Sequence, residues 1–441
     1  MSKRLQLPKE FIERMKVELP ENEREAFFAV YERAGYEKGL LINALKIGAD
    51  EFEKITALTL DGVVPWNENA RYVKDEKVGG DPHHAAGLYY MQEPSAASVA
   101  PKAEAKSGER VLDLCAAPGG KTASLAAAMQ GGGLLVCNEP VKSRAQILLS
   151  NIERLGVKNA VELNAFPEEI CDFFMEYFDK IVADAPCSGE GMFRKNAEEA
   201  RREWNEENVK ICAARQEKIL DCAAKMLAGG GRLVYSTCTF SREEDEDQAR
   251  AFLARHAEFR LIFEQKILPH KARGEGHYCA VFEKTSGGRR DLPVQKSNIS
   301  RQTQSLFDDF CLKTFGEKKK YLLYENGGAV YALPEGCFAW QGLKILRCGV
   351  KLGEVMKNRF EPAHAYALSL KRGETKNAIS LSYGDERVRK YLRGEEISAD
   401  DFAGVNGWSV VCADGFPLGW GKASNGVVKN HLPRGLRLFG G

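Results

Sequence analysis

The stretch Arg110-Val111-Leu112-Asp113-Leu114-Cys115-Ala116-Ala117-Pro118-Gly119-Gly120-Lys121-Thr122 decides how this chain is read. An apolar, β-prone run feeds a turn of small residues, and a helical pattern over Thr122–Met129 follows. Small residues let backbone amides approach a ligand, and a helix N-terminus favours negative charge. Two ligand classes fit this start. In a phosphate-binding loop, Gly120-Lys121-Thr122 would be the last three positions, and Val182-Ala183-Asp184 imitates the acidic strand that holds magnesium. The glycine such a loop requires five residues before Gly120 is, however, Cys115. In an adenosine-binding unit, the second strand ends on an acid that holds the ribose hydroxyls, and here it runs into Asn138-Glu139, 26 residues beyond Asp113.

Outward from the turn, apolar β-rich runs alternate with longer helical patterns, the signature of a βαβ sheet. Strands are predicted at Arg110–Leu114, Gly133–Asn138, Ala160–Leu163, Lys180–Asp184, Gly231–Ser236 and Tyr278–Glu283, with helices at Ser143–Leu155 and Val209–Leu227. Gly229-Gly230-Gly231 is expected to end the last helix. Upstream, the first 75 or so residues read as helical. Helices are predicted to open at Pro8-Lys9-Glu10 and to run over Glu23–Ala34 and Lys38–Leu45, with a looser segment at Ala57–Gly80. Downstream, the polar stretch Lys284–Ser305 reads as a linker or mobile loop. Short glycine-separated strands follow, at Tyr321–Tyr324, Ala329–Ala332, Lys344–Gly349 and Trp408–Ala413.

Composition sets outer limits. A chain of 441 residues calls for several domains, and 44% hydrophobic with 28% charged residues is the balance of a soluble globular protein. No apolar run approaches the ~18 residues of a membrane span, and Met1-Ser2-Lys3-Arg4 does not open a signal peptide. The net charge of +1 announces no nucleic-acid binder, but Cys311–Lys390 holds 15 Lys/Arg against 8 Asp/Glu, whereas Ser241–Arg250 is acidic. The 12 cysteines form no CxxC pair and the 7 histidines no i, i+4 pair, so no metal is expected. Scattered unpaired cysteines fit a reducing, cytoplasmic setting.

Two of those cysteines stand apart. Asp184-Ala185-Pro186-Cys187-Ser188-Gly189-Glu190-Gly191 and Tyr235-Ser236-Thr237-Cys238-Thr239 each place a thiol just past a predicted strand, at the sheet edge where open α/β folds bind ligands. A thiolate is a strong soft nucleophile, and methylating carbon 5 of a pyrimidine requires prior addition at carbon 6. Cys222, on an apolar helix face, reads instead as a small buried hydrophobe.

The turn DLCAAPGGKT, the segment DAPCSGEGMFRK and YSTCTF, in that order, resemble the RNA cytosine-5 methyltransferases of the Nop2/Sun type. GLYYMQEPSAA and the extensions at both ends are similar to the bacterial RsmF-type rRNA enzymes. The resemblance implies an α/β Rossmann-like class I methyltransferase sheet with an N-terminal helical domain and a C-terminal α+β extension ending in a PUA-like unit. The expected divisions are 1–80 helical, 81–285 catalytic, 286–306 linker, 307–377 α+β and 378–441 PUA-like. It further implies that Cys115, Ala116, Ala117, Pro118, Gly119, Gly120 and Lys121 cradle S-adenosylmethionine, with Glu139 on its ribose. Arg144, Asn164 and Asp184 would complete that side, although many relatives carry Asp where this chain has Asn164. Cys238 matches the nucleophile, Cys187 the cysteine that helps release product, Asp184 the group at the base's N3, and Lys195 a neighbour of the site. The implied partner is RNA, as rRNA or a ribosomal particle, bound by a monomer without membrane or metal. A non-catalytic RNA-binding assembly factor and a P-loop NTPase are the alternatives.

Overall fold

A computed structural model describes residues 7–33, 35–75, 78–195, 197–402 and 404–438. Met1–Arg4 and the expected helix end at Ala34 lie outside the described residues.

The central sheet has eight strands: β1 (Arg110–Asp113), β2 (Leu134–Asn138), β3 (Ala160–Leu163), β4 (Phe178–Asp184), β5 (Leu227–Thr237), β6 (Phe259–Ile267), β7 (His277–Lys284) and β8 (Ile345–Cys348). Their order across the sheet is β6-β7-β5-β4-β1-β2-β3-β8. Strands β1 to β5 pair in parallel, while β7, β6 and β8 run antiparallel to their neighbours. From β1 the chain steps outward through β2 and β3, then returns to β4 and β5 on the other side. The crevice between the carboxyl ends of β1 and β4 is the switch point at which such sheets bind ligands. Strands β2 and β3 are buried at every position, as sheet strands covered on both faces must be.

Three sequence expectations change here. Lys38–Leu45 is not a helix: Gly39–Ile42 is a strand, buried throughout and paired on both sides, with Ala70–Val73 and Tyr89–Met91. A four-residue apolar run carries no period of its own, so pairing decides it. With Leu60–Val63, inside the expected loose segment, these strands form a four-stranded antiparallel sheet. The N-terminal part is therefore mixed rather than helical, and its sheet closes beyond residue 80.

Second, the helix Glu206–Met226 ends before the glycines, which lie inside β5. A side chain at Gly229 would meet the Gly287 carbonyl oxygen at 2.4 Å, so close chain approach explains that glycine. The approaching chain belongs to the expected linker, whose first residues run along the catalytic body. Gly229 N donates to Gly288 O, Arg290 N to Glu176 O, and Arg110 pairs with Asp291. The helix Arg301–Phe315, N-capped by Ser300, starts inside the same stretch.

Third, the strand expected at Lys344–Gly349 exists, but as β8 it extends the catalytic sheet alongside β3. Strand β6 carries no clean alternation, because its exposed residues mix Arg260, Glu264 and Gln265 with Leu261 and Ile262.

The extremities meet. Leu40, Ile42, Phe52 and Tyr89 share a core with Ile379 and Leu418 of the terminal five-stranded sheet and with Tyr391 of the helix Glu386–Leu392 beside it. Phe310 and Phe360 of the preceding body pack with Trp420 of that sheet. The helices Lys9–Glu18 and Glu21–Glu32 bury Phe11, Phe27 and Tyr31 against Phe193, Trp204 and Phe240. Each such aromatic contributes roughly 1.5–3 kcal/mol by burial. Phe193 and Phe240 follow the two cysteine motifs, so the N-terminal helices clamp the loops that carry them. Among the described residues, no helix is long and apolar enough to cross a membrane.

Candidate active site

At the switch point lies a cleft of about 200 Å³. Ala116, Ala117 and Pro118 line one part of it, and Lys121, Asp184, His277 and Cys238 another, with Lys195 exposed at its margin. The turn and the residues after β4 and β5 thus converge as the sequence suggested.

Cys187 Sγ and Cys238 Sγ are 3.3 Å apart, and Cys238 alone of the two lines the cleft. Ser188 Oγ and Thr239 Oγ1, one residue beyond each thiol, are 2.7 Å apart and tie the loops together. The Cys238 sulfur, and then burial, hold the Cys187 thiol protonated well above the usual range. Two buried glutamates fix the loop backbones. Glu244 accepts Ser188 N and Gln216 Nε2, whose Gln216 side chain also donates to Pro186 O. Glu190 accepts Phe240 N, Ser241 Oγ and Trp204 Nε1. Burial pushes the Glu244 carboxyl up to about 7, against the hydrogen bonds from Ser188 and Gln216. Gly191 must be glycine, because a Cβ there would sit 2.9 Å from Cys238 O.

Asp184 accepts Lys121 Nζ at 2.6 Å and Ser236 Oγ at 2.7 Å. Burial disfavours its charge, but Lys121 and His277 outweigh that and hold the carboxyl well below the usual range. Lys121, expected from the sequence to belong to the cofactor turn, points its ammonium at Asp184.

Glu139, Arg144 and Asn164 stand behind the cleft wall: Glu139 is buried after β2, accepts Val141 N, and lies 3.5 Å from Arg144 Nη1. Arg144 also donates to Ala117 O, bracing the turn against the following helix. Asn164 spends its amide hydrogens on the carbonyls of Glu139 and Pro140, so it shapes the loop that carries Glu139. Burial drives Cys115 upward as well, leaving it an inert thiol in the turn wall.

Sequence reading missed Glu190, Glu244, Gln216, His277 and Glu275. The signal for the first two was present: each acid follows a cysteine by a few residues, and Glu244 belongs to the acidic stretch Ser241–Arg250.

Family models match in chain order. They are the N-terminal domain of 16S rRNA methyltransferase RsmF (7–94), 16S rRNA methyltransferase RsmB/F (101–283), the RsmF rRNA methyltransferase first C-terminal domain (309–370) and the methyltransferase RsmF PUA domain (377–438). Ribosomal RNA small subunit methyltransferase F of Shewanella piezotolerans is 31% identical over 97% of this chain and 96% of its own. The chain belongs to the RsmF family of 16S rRNA methyltransferases. The protein of the same name from Vibrio vulnificus is also 31% identical, over 99% of this chain and 98% of its own. As an RsmF-family member the protein is an rRNA methyltransferase whose cofactor is S-adenosylmethionine, and its terminal sheet is a PUA domain. Two solved structures share the Rossmann-like fold. A methyltransferase homolog protein from Pyrococcus horikoshii has a TM-score of 0.56 at 25% identity, covering 64% of this chain and 96% of its own. NSun6 from Pyrococcus horikoshii with SFG has a TM-score of 0.57 at 21% identity, covering 64% and 100%.

Proposed function

We propose that the enzyme methylates carbon 5 of a cytosine in small-subunit rRNA through a covalent adduct at Cys238. The observation that carries this reading is the thiol pair: two sulfurs 3.3 Å apart, one lining the cleft and the other beside it. Nothing in a simple methyl transfer to a heteroatom calls for two cysteines.

The cleft suits the cofactor. Its wall at Ala116, Ala117 and Pro118 is of small residues, Gln92 Oε1 is buried there without a partner, and Glu139 follows β2. In this reading Cys115 to Lys121 shape the cradle, Glu139 accepts from the ribose hydroxyls, and Arg144 and Asn164 hold that carboxylate in place. When bound, S-adenosylmethionine supplies a methyl group made electrophilic by its sulfonium charge.

A stacked cytosine hides carbon 6, so the target enters unpaired or flipped out. The Cys238 thiolate adds to carbon 6, and charge builds on the ring beside the Lys121 ammonium. Asp184, ion-paired and accepting Ser236, is an acceptor for the base's exocyclic amine and has no proton to give at N3. As the Cys238–carbon 6 bond breaks, Cys187, held as a thiol 3.3 Å away, gives its proton to the departing Cys238 sulfur, and the Cys187 thiolate so formed takes up the carbon 5 proton. Lys195, at the margin, contacts the RNA.

Nucleoside mass spectrometry and bisulfite mapping of 16S rRNA from cells with and without the enzyme test the reading. A 5-methylcytosine that disappears with the enzyme supports it. A lost methyl group on any other base, or on nitrogen or ribose, overturns it.

A further inference from the structure

His277 opens β7, is 3% exposed and lines the cleft. Neither ring nitrogen has a hydrogen-bond partner in the protein, whereas buried polar groups are ordinarily satisfied. Its Nε2 is 3.4 Å from Asp184 Oδ1, at ion-pair distance but outside hydrogen-bond geometry. The β7–β5 ladder ends with Tyr278 opposite Thr237; His277 and Cys238 are the next residues of the two segments, and both line the cleft. A buried imidazole whose Nδ1 has no partner and whose Nε2 faces only Asp184 therefore shares the cleft with the proposed nucleophile and with an aspartate that stays ionised.

We propose that His277 carries the Cys238 thiol proton to N3 of the target cytosine. This rests on the cytosine carbon 5 reading above. An imidazole nitrogen takes the Sγ proton, and the freed sulfur pair forms the S–C6 bond. The C5=C6 π pair becomes C4=C5, the C4=N3 π pair becomes an N3 lone pair, and that lone pair takes the proton from the imidazolium. Thiol and cytosine become a neutral thioether adduct bearing N3–H, and His277 ends neutral. When carbon 5 has been methylated and C4=N3 re-forms, N3 returns its proton to His277. The titratable groups that share the cleft with the imidazole are Asp184 from β4, Lys121 from the helix after the turn and Cys238 after β5. Lys195, Glu93 and Glu275 stand further round the same cleft.

Single-turnover methylation by the full-length enzyme, on 16S rRNA or small subunits from cells lacking it, tests this between about pH 5.5 and 9.5. His277→Gln is expected to be slower at neutral pH by about 100-fold or more, the scale of acid–base catalysis. Its KM for RNA and its cofactor affinity should stay within about twofold of wild type, because the chemistry alone is affected. Wild type is expected to give a bell-shaped profile, because the step requires one proton shared between Cys238 and His277, and the variant a curve that keeps rising with pH. His277→Ala should behave alike and recover with added imidazole, and His277→Asn carries the test should Gln not fold. Variants at the wild-type rate, or slow variants that keep the bell and show no imidazole rescue, overturn the proposal. Cys238→Ala in the same assay separates the two claims: turnover there sinks the covalent reading, whereas a dead Cys238→Ala with unaffected His277 variants sinks only the shuttle.

Discussion

Lys121 Nζ lies 2.6 Å from Asp184 Oδ2, joining the helix that follows β1 to the end of β4 across the switch point. This ion pair links the turn after β1 to the end of β4 and favours the charged form of both groups. Burial works against the Lys121 ammonium, yet Asp184 raises its pKa above the usual value. Lys121→Met should therefore cost more than a surface lysine would, roughly 1–3 kcal/mol in urea unfolding once partial exposure is allowed for. The sign with pH follows from Asp184. A carboxyl depressed in the folded state adds stability that is full above its unfolded value near 3.9 and is lost as pH falls towards the folded one. In Lys121→Met the folded Asp184 pKa rises, so stability should fall less steeply below about pH 4 than in wild type. An identical acid limb in both proteins would mean that Lys121 does not set the Asp184 charge.

Glu244 behaves in the opposite sense. Its carboxyl, pushed up to about 7 by burial, binds a proton in the folded state that the unfolded chain releases near 4.3. Its share of stability is thus full below about pH 4.3 and declines as pH rises to about 7, by up to ~3 kcal/mol. Glu244→Gln can accept Ser188 N and donate to Gln216 Oε1, which is buried without a partner. Urea midpoints should fall less steeply for the variant than for wild type across that window. Parallel slopes would show that Glu244 does not titrate there.

Glu139→Ala should lose its ribose hydrogen bonds, each worth ~0.5–1.5 kcal/mol, and weaken S-adenosylmethionine binding about 5- to 30-fold in calorimetry. Unchanged affinity would place the ribose anchor elsewhere. Gly119 is a poorer probe than its place in the turn suggests. Its φ is +115° and a Cβ there would stand 3.2 Å from Leu148 Cδ1, so any side chain also strains the backbone.

What the sequence made legible was local and covalent in character. Turn, acid and cysteines occupy consecutive strand ends, so their convergence follows from sheet order alone. Asn164 shows the limit, since its partners are carbonyls that no pattern reveals. Gly39–Ile42 became a strand only because Ala70–Val73 and Tyr89–Met91 flank it. Strand β8 joins β3 across more than 180 residues, and Glu190 and Glu244 gain meaning only from the loops they hold. Long-range pairing and burial are absent from any window of sequence.

The same strand changes how RNA docking is best tested. Removing the C-terminal extension would strip β8 from the catalytic sheet, so point changes are cleaner. Lys313, Lys320 and Lys357 are exposed in the basic region. Changing all three to Glu should weaken RNA binding and flatten its dependence on salt by up to about 2–3 in log–log slope, leaving cofactor affinity intact. A triple variant with the wild-type slope would remove this face from the docking surface.

The thiol pair carries the central claim, and trapping RNA on the protein tests it most directly. Each variant is incubated with S-adenosylmethionine and labelled 16S rRNA and run on a denaturing gel. Cys187→Ala should accumulate a protein–RNA adduct, because attack and methylation proceed while release stalls. Cys238→Ala and the double variant should form none and transfer no methyl group. An adduct in Cys238→Ala but not in Cys187→Ala, or full turnover in both, would contradict the account.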